Sequence, residues 1–225
     1  MWLSVAVYGP IALLTAVLPF PLRYRVISRW AHMQALMLKH VCGLDYRVEG
    51  REHLPAGAAI ILSKHQSAWE TIVFQDIFPP HTWVLKRELL WIPLFGWALA
   101  LLDPIAINRR ARRRAMDQVV EQGRERLQRG TWVVVFPEGT RVLPRTRKRY
   151  ALGGAILAAE TGYPVVPVAH NAGSFWPRQG FIKRPGTVRV IIGPVIDSRG
   201  KTAEEIIRLT EEWIESQMPI LEPPA

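Results

Sequence analysis

Cysteine is almost missing from this chain, with Cys42 the single one in 225 residues. One thiol excludes an intrachain disulfide framework and any multi-cysteine metal site, so the fold must hold by packing, and a reducing compartment is permitted. Carboxylates are missing from the first 44 positions, where Arg23, Arg25, Arg29 and Lys39 accumulate before Asp45 appears. Charge of either sign is missing from Met1 to Phe20. Internal repeats and low-complexity linkers are absent too, so no boundary falls inside the body of the chain. That body suits one domain, since single cores commonly extend to roughly 200 to 250 residues.

What is present in excess is positive charge: 29 Lys and Arg against 19 Asp and Glu give +10. Such a balance suits nucleic acid, phospholipid headgroups or a phosphorylated cofactor. A helix-turn-helix, zinc or interleaved-aromatic signature is lacking, which argues against nucleic acid.

About 20 apolar residues can cross a bilayer as one helix, but Gly9-Pro10 and Pro19-Phe20-Pro21 interrupt the uncharged run. A short or kinked helix is predicted, followed by a second from about Leu22 to Val41, half-inserted rather than spanning. In the second, Val26, Ile27, Trp30, Met33, Leu36, Met37 and Val41 recur at helical spacing among Arg23, Arg29 and Lys39. This is an interfacial pattern, although the same row would suit a helix covering the core of the body. No cationic n-region precedes the run and no Ala-x-Ala site follows it, so a cleaved signal peptide is not expected. If any segment crosses the membrane, the arginines after Pro21 favour a cytoplasmic body, so the expected location is the cytoplasmic face of the cell membrane. The expected division is 1–44 as membrane-anchoring helices and 45–225 as one domain.

Beyond Asp45, short apolar runs alternate with longer mixed segments, the signature of an α/β sandwich. Strands are predicted at Ala58–Leu62, Thr82–Lys86, Ile105–Asn108, Thr131–Phe136, Val165–Ala169 and Val188–Ile192. Helices are predicted at Ala68–Ile77, Glu88–Leu101, Ala111–Arg129, Leu152–Thr161 and Ala203–Gln217. Two basic clusters, Arg109 to Arg114 and Arg141 to Arg149, each follow a predicted strand, where α/β sheets place ligand groups. Most of these arginines read as solvated faces or headgroup contacts.

Two segments carry chemistry. In Ser63-Lys64-His65-Gln66-Ser67-Ala68-Trp69-Glu70, His65 falls where a strand gives way to a helix. On one regular helix His65 and Glu70 would stand about 140° apart. If His65 lies in the preceding loop and Glu70 in the first turn, the carboxylate can hold one imidazole nitrogen and leave the other free. The same residues also form a capping-box pattern, with Ser67 as N-cap and Glu70 at N3. The second segment, Trp132 to Arg141, is a strong strand that stops at Pro137 and turns at Gly139 near Arg141, a plausible phosphate cradle. No Gly-Lys-Ser/Thr follows it, so it is not a Walker loop.

Together these segments resemble the glycerolipid acyltransferase family. His65 to Glu70 is similar to its first motif, a histidine and an acid with four residues between. Ile105-Ala106-Ile107-Asn108-Arg109 is similar to the second, Phe136-Pro137-Glu138-Gly139-Thr140-Arg141 to the third, and Val165-Val166-Pro167-Val168 to the fourth. Glu70 stands where aspartate is commoner, and Lys64 where asparagine is frequent. The resemblance implies a single mixed-sheet acyltransferase domain with an N-terminal membrane-associated helical segment. It implies transfer of a fatty acyl group from acyl-CoA or acyl carrier protein to lysophosphatidate, the sn-2 hydroxyl being the acceptor, on a phospholipid surface.

Under that reading His65 is the base and Glu70 its orienting acid. Arg109 and Arg141 fix the acceptor phosphate with Gly139 and Thr140, while Glu138 either orders this loop or touches the acceptor's glycerol portion. Lys86 is a supporting cation or an exposed lysine at a strand end. The segment Trp91 to Trp97 lines an acyl tunnel or packs as a core helix. Direct transfer is expected, because Ser67 is better placed to cap a helix and no Gly-x-Ser-x-Gly elbow exists. No metal and no cofactor beyond the acyl donor are expected. The readings carried beside this one are transfer to another lysolipid, such as a lyso-ornithine lipid, and a non-catalytic membrane-binding protein.

Overall fold

Successive side chains of a strand face opposite sides of its sheet, and here that alternation builds two cores. Ile60 and Leu62 enter one cluster with Val133 and Val135, while Ile61 and Val134 enter the other. The computed structural model describes residues 2–108, 112–178 and 180–223. Its strands are β1 (Leu44–Glu49), β2 (Ile60–Ser63), β3 (His81–Lys86), β4 (Ile105–Ile107), β5 (Trp132–Val135), β6 (Val165–His170) and β7 (Gly186–Ile192). They form one sheet in the order β1-β7-β6-β2-β5-β3-β4. Every neighbouring pair is parallel except β6 with β7, so the sheet is mixed.

The helices are α1 (Trp2–Leu14), α2 (Phe20–Cys42), α3 (Trp69–Ile77), α4 (Phe95–Ala100), α5 (Arg112–Gln128), α6 (Gly153–Thr161), α7 (Ala172–Phe175) and α8 (Ala203–Leu221). One cluster joins the sheet to α2 and α3 through residues such as Ile27, Ala31, Trp69 and Phe74. The other joins it to α5, α6 and α8 through Val119, Leu157 and Ile206. Gly154 permits the close approach of α6, since a Cβ there would lie 2.4 Å from Leu62 Cδ2. The N-cap Thr202 and Glu205 form a capping box that starts α8.

Two elements depart from the sequence reading, and the N-terminal helices take the core-covering role that stands open beside the interfacial one. The helix expected over 88–101 is broken: a 3-10 turn covers Arg87–Trp91, and α4 begins only after Pro93 and Leu94, the latter at φ 61°. Strand β1 was not anticipated; it pairs along its length with β7, and beyond the buried Leu44 it presents four half-buried residues and the exposed Arg47, with no apolar run. The N-terminal helices also contribute to the core, with Ala12, Tyr24, Ile27, Ala31, Ala35 and Leu38 buried in the same cluster as the sheet. Pro10 lies inside α1, a 3-10 turn follows at Thr15–Val17, and Pro19 caps α2. No helix among the described residues is long and apolar enough to cross a membrane.

Candidate active site

Because β2, β5, β3 and β4 run parallel, their carboxyl ends open on one edge of the sheet. The segments after β2 and β5 therefore meet. His65 lies in the loop between β2 and α3, and Glu70 lies in the first turn of α3. His65 Nδ1 stands 2.8 Å from Glu70 Oε1. An ionised carboxylate only accepts, so Nδ1 is the donor, and in the neutral form of the ring Nε2 carries the lone pair. The ring is also stacked on Phe136, with centroids 4.0 Å apart at 14°.

Glu70 is fully buried and accepts from the main-chain N–H of Gln66 (2.9 Å) and of Ser67 (2.9 Å) as well. Burial alone would raise its pKa, but His170 and the bonds from His65 and Ser67 outweigh it and hold the carboxyl below its ordinary value. The capping reading is thus half right. The N-cap is Ala68 rather than Ser67, and Ser67 Oγ accepts from the Trp69 N–H at 3.1 Å. Glu70 both ties down the helix start and holds the imidazole.

The loop after β5 clamps His65 by its main chain. The His65 N–H donates to Glu138 Oε2 (2.8 Å), and the His65 carbonyl accepts from the Val142 N–H (2.8 Å). Gly139 sits at φ +67°, a conformation that disfavours any side chain, and its N–H donates to the Phe136 carbonyl to close the turn. The Glu138 carboxylate is buried, with Oε1 2.8 Å from Lys64 Nζ. Burial pushes the Glu138 carboxyl up to about 7 against the opposing pull of Lys64.

Sequence reasoning did not find this Lys64 network. Lys64 is only 1% exposed and also contacts Glu215 of α8 at 2.8 Å, whose Oε1 accepts from Tyr150 Oη as well. The available signal was a lysine placed directly after an apolar strand. Its partners lie 74 and 151 positions downstream and could not be paired from spacing.

His65, Gly139, Thr140 and Arg141 line one cavity of about 890 Å³. Its walls are mainly apolar and include Val5 and Ala12 of α1, Ile27 of α2 and Val119 of α5. Lys86 reaches the cavity too, although it is exposed at the end of β3. Ile92 and Phe95 line it from the segment expected at an acyl tunnel, whereas Trp91 and Trp97 of the same segment are exposed. Arg109 lies outside the described residues. Most of the second basic cluster serves structure: Arg145 and Arg147 bond the C-terminal region at Pro223 and Glu211, and Lys148 bonds the Glu138 carbonyl.

Chemically, the arrangement sets a proton acceptor and a phosphate-matching guanidinium in one largely apolar chamber. Comparison with known proteins agrees with that chemistry. A family model described as Acyltransferase matches residues 45–171. A 1-acyl-sn-glycerol-3-phosphate acyltransferase of Pseudomonas aeruginosa is 44% identical, over 98% of this chain and 88% of its own length. A protein of the same name in Saccharomyces cerevisiae is 31% identical over 78% of this chain and 60% of its own. The crystal structure of the 1-acyl-sn-glycerophosphate (LPA) acyltransferase PlsC from Thermotoga maritima superposes with a TM-score of 0.79 at 24% identity, covering 97% of this chain and 90% of that one. That likeness carries the fold, and the family match takes in both His65 and the loop at Arg141. The chain therefore belongs to the Acyltransferase family.

Proposed function

We propose that this protein transfers a fatty acyl group from a thioester, acyl-CoA or acyl carrier protein, to the sn-2 hydroxyl of 1-acyl-sn-glycerol 3-phosphate, giving phosphatidate. The observation that carries the reading is that His65 and Arg141 line the same cavity. The name of the Pseudomonas relative supports this acceptor.

An alcohol is a poor nucleophile at neutral pH, so its proton must be accepted as the new C–O bond forms. His65 Nε2 takes that proton, and Glu70 balances the imidazolium through Nδ1. The tetrahedral intermediate collapses with loss of the thiolate, which receives the proton back from His65. Arg141, with Thr140 and Gly139, holds the acceptor's phosphate, and Arg109 is a second cation for it. Lys86 supports the same anionic group. Residues 1–44 form the membrane-associated segment and 45–225 the catalytic domain. The exposed row Leu3, Val7, Ile11 and Leu14 of α1 contacts the cytoplasmic leaflet, with Arg23, Arg25 and Arg29 at the headgroups.

The deciding experiment is an acyl-transfer assay with acyl-CoA and acyl carrier protein donors against lysophosphatidate and phosphate-free lysolipids. Fastest transfer to lysophosphatidate is expected. Faster transfer to a lyso-ornithine lipid would sink the choice of acceptor, and no transfer with any donor would leave a membrane-binding protein.

A further inference from the structure

Between Glu160 and Asp197 no carboxylate occurs, whereas Arg178, Lys183 and Arg184 fall within this stretch. At its tip, between α7 and β7, Phe181 is 91% exposed and Ile182 is 76% exposed. Contacts made by the described residues on either side hold this tip in place. Trp176 is buried beneath it, and its indole N–H donates to the Gly180 carbonyl (3.1 Å). The Arg184 N–H donates to the Phe175 carbonyl (2.8 Å). The Lys183 ammonium sits 4.5 Å from the centre of the Trp176 ring and donates to the Phe181 carbonyl at 2.8 Å.

This loop touches both the outer face of α2 and the catalytic cavity. Lys183 and Trp176 share a small groove with Met37 and Val41, which are exposed on α2. Arg178 lines the catalytic cavity and donates to the main-chain carbonyl of Arg141 at 3.1 Å. Two large apolar side chains held outward among cations match a lipid surface, since the rings and methyls enter the acyl boundary while the cations reach anionic headgroups. A charged protein surface would leave the apolar tip without a partner.

We propose that Phe181 and Ile182 form a bilayer-inserting wedge that docks the Arg141 rim of the cavity onto an anionic lipid surface. The wedge rests on the reading of α1 and α2 as membrane-facing and adds a second point of attachment. Two attachment regions, the N-terminal helices and this loop, would fix how the cavity mouth meets the leaflet from which a lysolipid acceptor arrives.

The test uses the full-length chain with Phe181→Cys in a Cys42→Ser background, labelled with a polarity-sensitive bimane, and separately the double variant Phe181→Ser/Ile182→Ser. The vesicles are phosphatidylcholine alone or an equimolar mixture with phosphatidylglycerol. The label should shift to the blue and be quenched by nitroxide-labelled acyl chains on the mixed vesicles. The double variant should partition about tenfold more weakly onto them, and should retain transfer to a short-chain acceptor in detergent. A label that stays in water on mixed vesicles overturns the proposal, as does a double variant that partitions like the parent. A shift that follows protein concentration without lipid identifies a second copy as the occupant and overturns it too. Leu3→Ser/Val7→Ser is measured in parallel. If that variant partitions normally while the wedge variant does not, the α1 assignment falls and the wedge stands.

Discussion

Glu138 accepts the main-chain N–H of His65 while its other carboxylate oxygen faces the ammonium of Lys64. Breaking a buried ion pair by removing one partner typically costs about 3–5 kcal/mol. Lys64→Met should therefore lower stability by about 3 kcal/mol, part of the cost being relieved when Glu138 takes up a proton. With Lys64 gone, the carboxyl moves further above its present value of about 7. The acidic limb of the pH–kcat profile should then shift to higher pH, and a profile identical to the parent's would show that His65 does not depend on an ionised Glu138.

Removing the imidazole tests the chemistry directly. General acid–base catalysis contributes about a hundredfold to ten-thousandfold, so His65→Ala should lower kcat by about a thousandfold with the fold intact by circular dichroism. Glu70→Gln should lower it by about a hundredfold or more, since the amide no longer offsets the charge on the ring. Retained transfer by His65→Ala would remove this histidine from the reaction.

Arg141 is expected to act on binding. A hydrogen bond to a charged group contributes about 1.5–3 kcal/mol, so Arg141→Ala should reduce kcat/KM for lysophosphatidate by about tenfold to a hundredfold. A phosphate-free lysolipid should be affected far less. Equal loss on both acceptors would mean that Arg141 shapes the loop and does not hold the phosphate.

A fourth prediction concerns acid stability. His81 is wholly buried, and burial depresses its pKa from 6.5 to about 4, despite the opposing bond to the Pro79 carbonyl. The folded state thus binds this proton less readily than the unfolded chain. Stability from His81 is present in full above pH 6.5 and is lost as pH falls from there toward 4. In His81→Phe the decline of Tm across that window should be shallower, as thermal unfolding at a series of pH values will read.

The legible parts of the sequence were those whose signal is local. The apolar runs at Ile60–Leu62 and Trp132–Val135 announced central strands, and the spacing of His65 and Glu70 correctly required a loop before a helix turn. β1 stayed hidden because Leu-Asp-Tyr-Arg-Val-Glu is an edge strand with charged residues, defined by its pairing with β7 about 140 residues away. The break before α4 depends on Leu94 adopting a positive φ, which composition does not favour. The ion pairs of Lys64 are likewise products of tertiary packing, since α8 must dock before Glu215 arrives.

The inward-facing residues of α1 and α2 have a practical consequence. Val5, Ala12 and Ile27 belong to the wall of the reaction chamber. Deleting the first 44 residues to obtain a tractable soluble fragment would strip that wall and open the chamber to water. A water-soluble enzyme is better sought by recolouring the outer row at Leu3, Val7, Ile11 and Leu14 with polar side chains while every residue turned inward is kept.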